Sequence, residues 1–212
     1  MSITRFARTL TLLALVGLAA GCATLSALGT SSEALDAYTL TAPSPTNRAA
    51  ASRTRLLVEI PTASGGIDTD RILVKPGPRQ VQYLPGARWI DPAPVLVQSL
   101  VVESIANAGL VRFVSASSGT VFPDYTLLID LRDFQAELVS GDPPMRVVIR
   151  MDVSMVRDDD REIVATRRIE ALAATSAEDV PGIVAAFDTA MHRSLMELLA
   201  WTGSVTSGRG GS

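Results

Sequence analysis

RVVIRMDVSMVRDDDREIVATRRIEALAAT, Arg146–Thr175, is the stretch on which the fold turns. From Arg146 to Arg157, Val147, Ile149, Met151, Val153 and Met155 fall on one side, and Arg150, Asp152 and Ser154 on the other. Period two over this length describes a strand with one dry and one wet face. Asp158-Asp159-Asp160-Arg161 is turn chemistry, and Glu162 to Thr175 carries Ile163, Ala165, Ile169 and Ala171 with weaker alternation. Working backwards, Ser140-Gly-Asp-Pro-Pro is a second turn. It follows a strand over residues 124–137 with Tyr125, Leu127, Ile129 and Leu131 on one face. Three long strands joined by two turns make an antiparallel meander.

The dry face of such a sheet needs a cover, and two helices are available. The second is expected over 178–201, with Ile183, Val184, Phe187, Met191, Leu195 and Leu198 lining one side. Ser176 and Asp179 have capping-box spacing, with Asp in place of Glu. The first opens at Asp91-Pro92, where Asp91 can cap and Pro92 needs no amide donor, and stops at Gly109. Its residues Leu96, Val97, Leu100, Val101, Ile105 and Ala108 suit a core. Val95, Ser99, Val102 and Ala106 form a second small, apolar row. A helix apolar on two sides is either sandwiched in a core or presented to a partner or a second copy.

Before this helix, Arg55–Ile60, Arg71–Lys75 and Gln80–Leu84 read as strands, the last two a hairpin across Pro76-Gly77-Pro78. Val111–Val114 is a strand after it. The expectation is an α+β (α/β) fold: one domain over 38–202, a mostly antiparallel mixed sheet with two main helices on one face. Tyr83 and Trp89 are the aromatic candidates for a contact surface, with core packing as the alternative.

The front of the chain has another character. Arg5 and Arg8 precede an apolar run, Leu10–Ala20, too short for the roughly 20 residues of a spanning helix. The small residues Ala19, Ala20 and Gly21 lead into Cys22, the single cysteine. This resembles a bacterial lipobox, with Ala19 where Leu is usual. The thiol of Cys22 is then the lipid attachment site, cut free of leader 1–21 and fatty-acylated. Two or three acyl chains anchor a protein durably, whereas one binds reversibly. A plain signal peptide or an uncleaved anchor is the alternative. Ala23, rather than Asp, favours sorting to the outer membrane. Residues 22–37 read as a flexible tether, roughly 20 Å as a coil and about 50 Å at full stretch. Residues 203–212 read as a disordered tail.

Without 1–21 the chain has 17 basic against 22 acidic side chains, a net charge near −5. No basic stripe suggests nucleic acid. Chemistry is sparse: His192, the one histidine, sits four residues after Asp188, which suits a solvated helical pair. With Cys22 acylated, neither a disulfide nor a His/Cys metal site is expected, and no cofactor pattern is present. No serine lies in a Gly-x-Ser-x-Gly elbow. Asp158–Asp160 lacks the glycine and glutamate of a calcium loop and reads as a charged hairpin tip.

Tyr38-x-Leu40, Ile60-Pro61, the strand pair around Ile72 to Tyr83, Trp89 before Asp91-Pro92, and Gly109 before a strand occur in an order that resembles the ABC-type transport auxiliary lipoprotein family. That family includes paraquat-inducible protein C. The resemblance spans nearly all of the domain, departing at Ala19 and at the acidic turn. It implies a non-catalytic component beside a mammalian-cell-entry (MCE) protein and an ABC transporter. Such systems move lipids or other hydrophobic molecules between two membranes, and the lipoprotein would dock the MCE assembly at the outer membrane, facing the periplasm. The alternatives are an envelope scaffold binding cell wall or another assembly, and a hydrolase built on His192.

Overall fold

The computed structural model describes residues 34–45, 52–117, 119 and 122–207. The leader, Cys22, the tether as far as residue 33 and the tail from 208 lie outside the described residues. Among the described residues, nine strands and two helices follow in the order β1 (Asp36–Tyr38), β2 (Ser52–Val58), β3 (Thr62–Ala63), β4 (Arg71–Gly77), β5 (Gln80–Trp89), α1 (Ala93–Ala108), β6 (Val111–Ser115), β7 (Tyr125–Leu138), β8 (Met145–Arg157), β9 (Ile163–Thr175) and α2 (Val180–Ser207).

The meander expected at 124–175 is present. β8 pairs antiparallel with β7 and β9 along its whole length. Its alternating side chains Val147, Ile149, Met151, Val153 and Met155 are each at most 1% exposed. Burial of each contributes about 1.5–3 kcal/mol relative to exposure. Opposite them on β7 stand Ala136, Phe134, Leu131, Ile129 and Leu127 in turn. That register contains a slip between Leu131 and Asp133. Uninterrupted period two would send Asp133, Gln135 and Glu137 into the core. The extra residue, Arg132, reverses the phase, so that Phe134 and Ala136 turn inward instead.

The other edge of β7 is shared by three strands, all parallel to it: β2 at its start, β3 in the middle and β4 at its end. β6 then extends the sheet beyond β2. β5 extends it beyond β4 as the expected antiparallel hairpin, and β1 lies parallel to β5. These parallel pairings were not apparent in the alternation, which reports face and not direction.

Both helices contribute to one core cluster with the dry face. At its centre Trp89, Phe134 and Phe187 are 0–1% exposed. Their ring centroids are 5.1–5.6 Å apart, with Trp89 and Phe187 edge-on. Trp89 is therefore a core residue, and its candidacy for a contact surface is withdrawn. β5 delivers it there by running on past Leu84 to residue 89.

Helix ends differ from expectation at three of four points. Pro92, not Asp91, holds the N-cap position of α1, with no side-chain cap bond. The amide of Ala93 donates instead to the Thr69 carbonyl, 3.0 Å. α2 is capped by Asp179, whose Oδ1 accepts from the Gly182 amide at 3.2 Å, without Ser176. It also continues to Ser207 because Trp201, Thr202 and Thr206 are buried. Gly109 ends α1 as expected, at φ 61°. β1 likewise takes Asp36 and Ala37, expected in the tether, into the sheet.

Candidate functional site

The buried side of α1 comprises Leu96, Val97, Leu100, Val101, Ile105 and Ala108, as its spacing required. Ala93 and Pro94 are buried as well, and so are two polar side chains, Gln98 and Ser104. Gln98 Nε2 donates to the carbonyls of Val58 (2.9 Å) and Ala116 (3.0 Å). One side chain thus ties the helix to β2 and to the chain leaving β6. Sequence reasoning passed over Gln98 because a lone glutamine in an apolar row carries no periodic signal.

The second row lies at the edge of this core, and Val102 packs against it. Val95 and Val102 are half-buried, and Ser99 and Ala106 are exposed. Among the described residues nothing covers the latter two, so α1 is not sandwiched. A strap formed by the chain that leaves β1 meets the last turn of α1. Leu40 and Pro43 are buried, the Ser44 hydroxyl meets Asn107 Nδ2 of α1 at 3.4 Å, and Thr41 reaches α2. There the Thr41 amide and hydroxyl donate to the Asp188 carboxylate at 2.7–3.0 Å. The strap therefore crosses both helices immediately after the strand that begins the domain.

His192 Nδ1 lies 3.7 Å from Asp188 Oδ2, the expected helical pair, and 3.3 Å from the Asp188 carbonyl. The carboxylate is already engaged by Thr41, and the Thr41 hydroxyl is directed at Asp188, not at the imidazole. The constellation orients a strap. Among the described residues no group of three or more His, Cys, Asp or Glu side chains is arranged to hold a metal ion. No described helix is long and apolar enough to cross a membrane.

Tyr83 lies elsewhere. It pairs with Leu73, which pairs with Gln135 on the wet face of the sheet, so all three share that face. The Arg71 guanidinium lies 5.5 Å from its ring centroid. The six candidate surface residues accordingly divide: four on α1, Tyr83 across the sheet, and Trp89 between them in the core.

The wet face is a lattice of ion pairs. Arg150 bridges Asp133 and Glu170, Asp152 accepts from Arg132 and Arg168, and Arg146 pairs with Glu137. Arg168 holds the Asp152 carboxyl below its usual range, and Arg150 does the same for Glu170. The acidic turn is matched in the same way: Asp160 pairs with Arg157 and Asp158 with Arg161.

Comparison with known proteins agrees with this architecture. The family model described as "ABC-type transport auxiliary lipoprotein component" matches residues 38–198. The uncharacterized protein bll6063 of Bradyrhizobium diazoefficiens is 32% identical over 164 residues, 74% of this chain. The matched region is 42% of that relative, so the chain spans less than half its length. The crystal structure of protein XCC0632 from Xanthomonas campestris superposes with a TM-score of 0.70 at 27% identity, over 82% of this chain and 95% of that one. Protein CT253 from Chlamydia trachomatis shares the fold alone, with a TM-score of 0.51 at 4% identity over 74% and 99% of the two chains. The chain belongs to the ABC-type transport auxiliary lipoprotein family, whose members are auxiliary components of ABC transport.

Proposed function

We propose that, within this family, the chain is a non-catalytic docking component that secures an MCE assembly and its ABC transporter at the outer membrane. Cys22 carries the acyl anchor, and the cargo is lipid or another hydrophobic molecule moving between the membranes. The observation that carries the reading is the exposed pair Ser99 and Ala106, flanked by half-buried Val95 and Val102, on a helix whose opposite side is committed to the core. A small apolar surface on a rigid element suits contact with a partner, because little side-chain freedom is lost on binding. The strap bonds to Asn107 of α1 and to Asp188 of α2, so the chain leaving β1 is fixed to both helices.

The test is affinity isolation of the acylated protein from solubilised envelopes, with mass analysis of its N-terminal peptide. The reading expects a lipid-modified Cys22 as first residue and an MCE protein plus permease in the eluate. It expects Ser99→Arg with Ala106→Arg to lose both partners while the unfolding free energy in urea stays within about 0.5 kcal/mol of wild type, as for surface changes. Recovery of cell-wall fragments, or of a second copy alone, would contradict it.

A further inference from the structure

One corner of the sheet gathers arginines that outnumber their carboxylate partners. β2 contributes Arg53 and Arg55, and the neighbouring β6 contributes Arg112. Ser52 pairs with Val111 and Arg55 with Phe113, so an irregularity in β2 lies beside Arg112. Asp124 is the one carboxylate lining the recess these residues form, of about 530 Å³. Both of its oxygens are taken by Arg55: Oδ2 by the amide at 2.8 Å and Nε at 3.1 Å, Oδ1 by the guanidinium. The hydrogen bond from Arg55 holds its carboxyl below the ordinary range, so it stays ionised and occupied. Among the described residues neither Arg53 nor Arg112 has a carboxylate partner. The recess holds a surplus of two positive charges in a chain whose net charge is −3.

Beside the arginines, apolar side chains face water. Phe113, on the recess wall, is 44% exposed, and Phe122, 81% exposed, lines an adjoining cavity of about 1000 Å³ with Arg53, Arg157, Asp158 and Asp159, the last three already joined in the ion pairs of the acidic turn. Pro123 connects the two phenylalanines, bordering a shallow depression with Phe113 and Leu57. Unpaired guanidinium groups next to exposed aromatic rings match an amphiphile: the fork binds a phosphate, and the rings enter the apolar layer beneath it. An acidic peptide would use the arginines but leave Phe122 in water. With the proposed anchor at Cys22, fewer than 15 residues separate it from β1, about 50 Å at full stretch, which keeps the domain within reach of its own membrane.

We propose that this corner docks on a bilayer, with Arg53 and Arg112 binding the phosphate of anionic phospholipid headgroups and Phe113 and Phe122 seated at the acyl boundary. The inference goes beyond the docking role and holds whatever protein partner α1 takes. The experiment places full-length acylated protein carrying Phe122→Trp in nanodiscs of phosphatidylcholine, with or without a third of phosphatidylglycerol, the acyl chains brominated. The emission added by the new tryptophan is compared with wild type. It should be quenched in the anionic discs and little in the neutral ones. Each arginine contributes about fivefold near an anionic surface. Arg53→Glu with Arg112→Glu should therefore lower the quenched fraction by at least about tenfold. Arg53→Gln with Arg112→Gln gives the same direction should the double glutamate variant misfold. Equal quenching in both discs, or no effect of either double variant, overturns the proposal. So does an arginine-dependent response of the added tryptophan to inorganic phosphate without quenching on anionic discs, which would make the recess a free phosphate site. Capture of an acidic protein without quenching overturns it as well.

Discussion

Trp89 is the residue on which a surface reading and a core reading differ most sharply, and the difference is measurable. In the structure its ring meets Phe187 at 5.1 Å and Phe134 at 5.6 Å, with no exposed area. Trp89→Leu keeps an apolar side chain but removes both ring contacts. Each aromatic pair contributes about 0.5–1.5 kcal/mol beyond area, so the loss from contacts alone is about 1–3 kcal/mol. Shrinking an indole to an isobutyl group adds a cavity cost, and the total should lie near 3 kcal/mol. Phe187→Ala, which removes a whole buried ring, should cost about 3–5 kcal/mol. A domain of this size loses roughly 2–4 °C of Tm per kcal/mol, giving a drop on the order of 10 °C for either change. The assay is urea unfolding of wild type, Trp89→Leu, Phe187→Leu and the double variant, read by far-UV circular dichroism. The coupling energy of the Trp89–Phe187 pair should be about 0.5–1.5 kcal/mol. A Trp89→Leu effect within about 0.5 kcal/mol, the range of surface substitutions, would refute the reasoning. A coupling energy of zero would remove the claim that the rings act together.

Asp188→Ala should free the strap. Three donor contacts from Thr41 end on that carboxylate, and their loss should cost about 1.5 kcal/mol and speed amide exchange at 39–44, with the meander amides unchanged. Acid should destabilise the domain through Asp124, Asp152 and Glu170. Their folded pKa values lie below the unfolded ones, so their stabilisation is present above the unfolded values and is lost as pH falls through the folded values. Urea midpoints measured from pH 7 to 3 should therefore hold steady and then decline below about pH 4, and a decline centred near pH 6 would contradict this. At the ends of α1, Gly109→Ala should cost about 1–2 kcal/mol because φ is 61° there. Asp91→Ala should stay within about 0.5 kcal/mol, since Asp91 makes no cap bond; thermal melts of the two variants test the contrast.

The meander was legible because β8 carries its pattern without a break, and both long helices were legible from their apolar stripes. The bulge on β7 was legible in principle. Leu131 and Phe134 are three apart, and period two cannot place both inward without an inserted residue. Strand direction was not legible, since β2 and β4 alternate alike whether they run with β7 or against it. The end of α2 was misjudged because Gly203, Ser204 and Ser207 look like tail residues, yet the intervening Thr206 is buried and bonds back to the Thr202 carbonyl at 2.9 Å. Asp91 looked like a cap by type and place, but Pro92 took the position and Thr69 met the free amide. Of the surface candidates on α1, Ser99 and Ala106 are exposed, whereas Val95 and Val102 are half-buried. Spacing could not have located Arg53 and Arg112, which are 59 positions apart and meet only because β6 returns beside β2.

The docking account is tested most directly by a photoreactive amino acid placed at Ser99 in the native envelope, with the same group at exposed Thr189 of α2 as control. The account expects an ultraviolet-dependent adduct between residue 99 and an MCE protein, identified by mass spectrometry, and none from residue 189. No adduct at 99, or one to a second copy only, would contradict it.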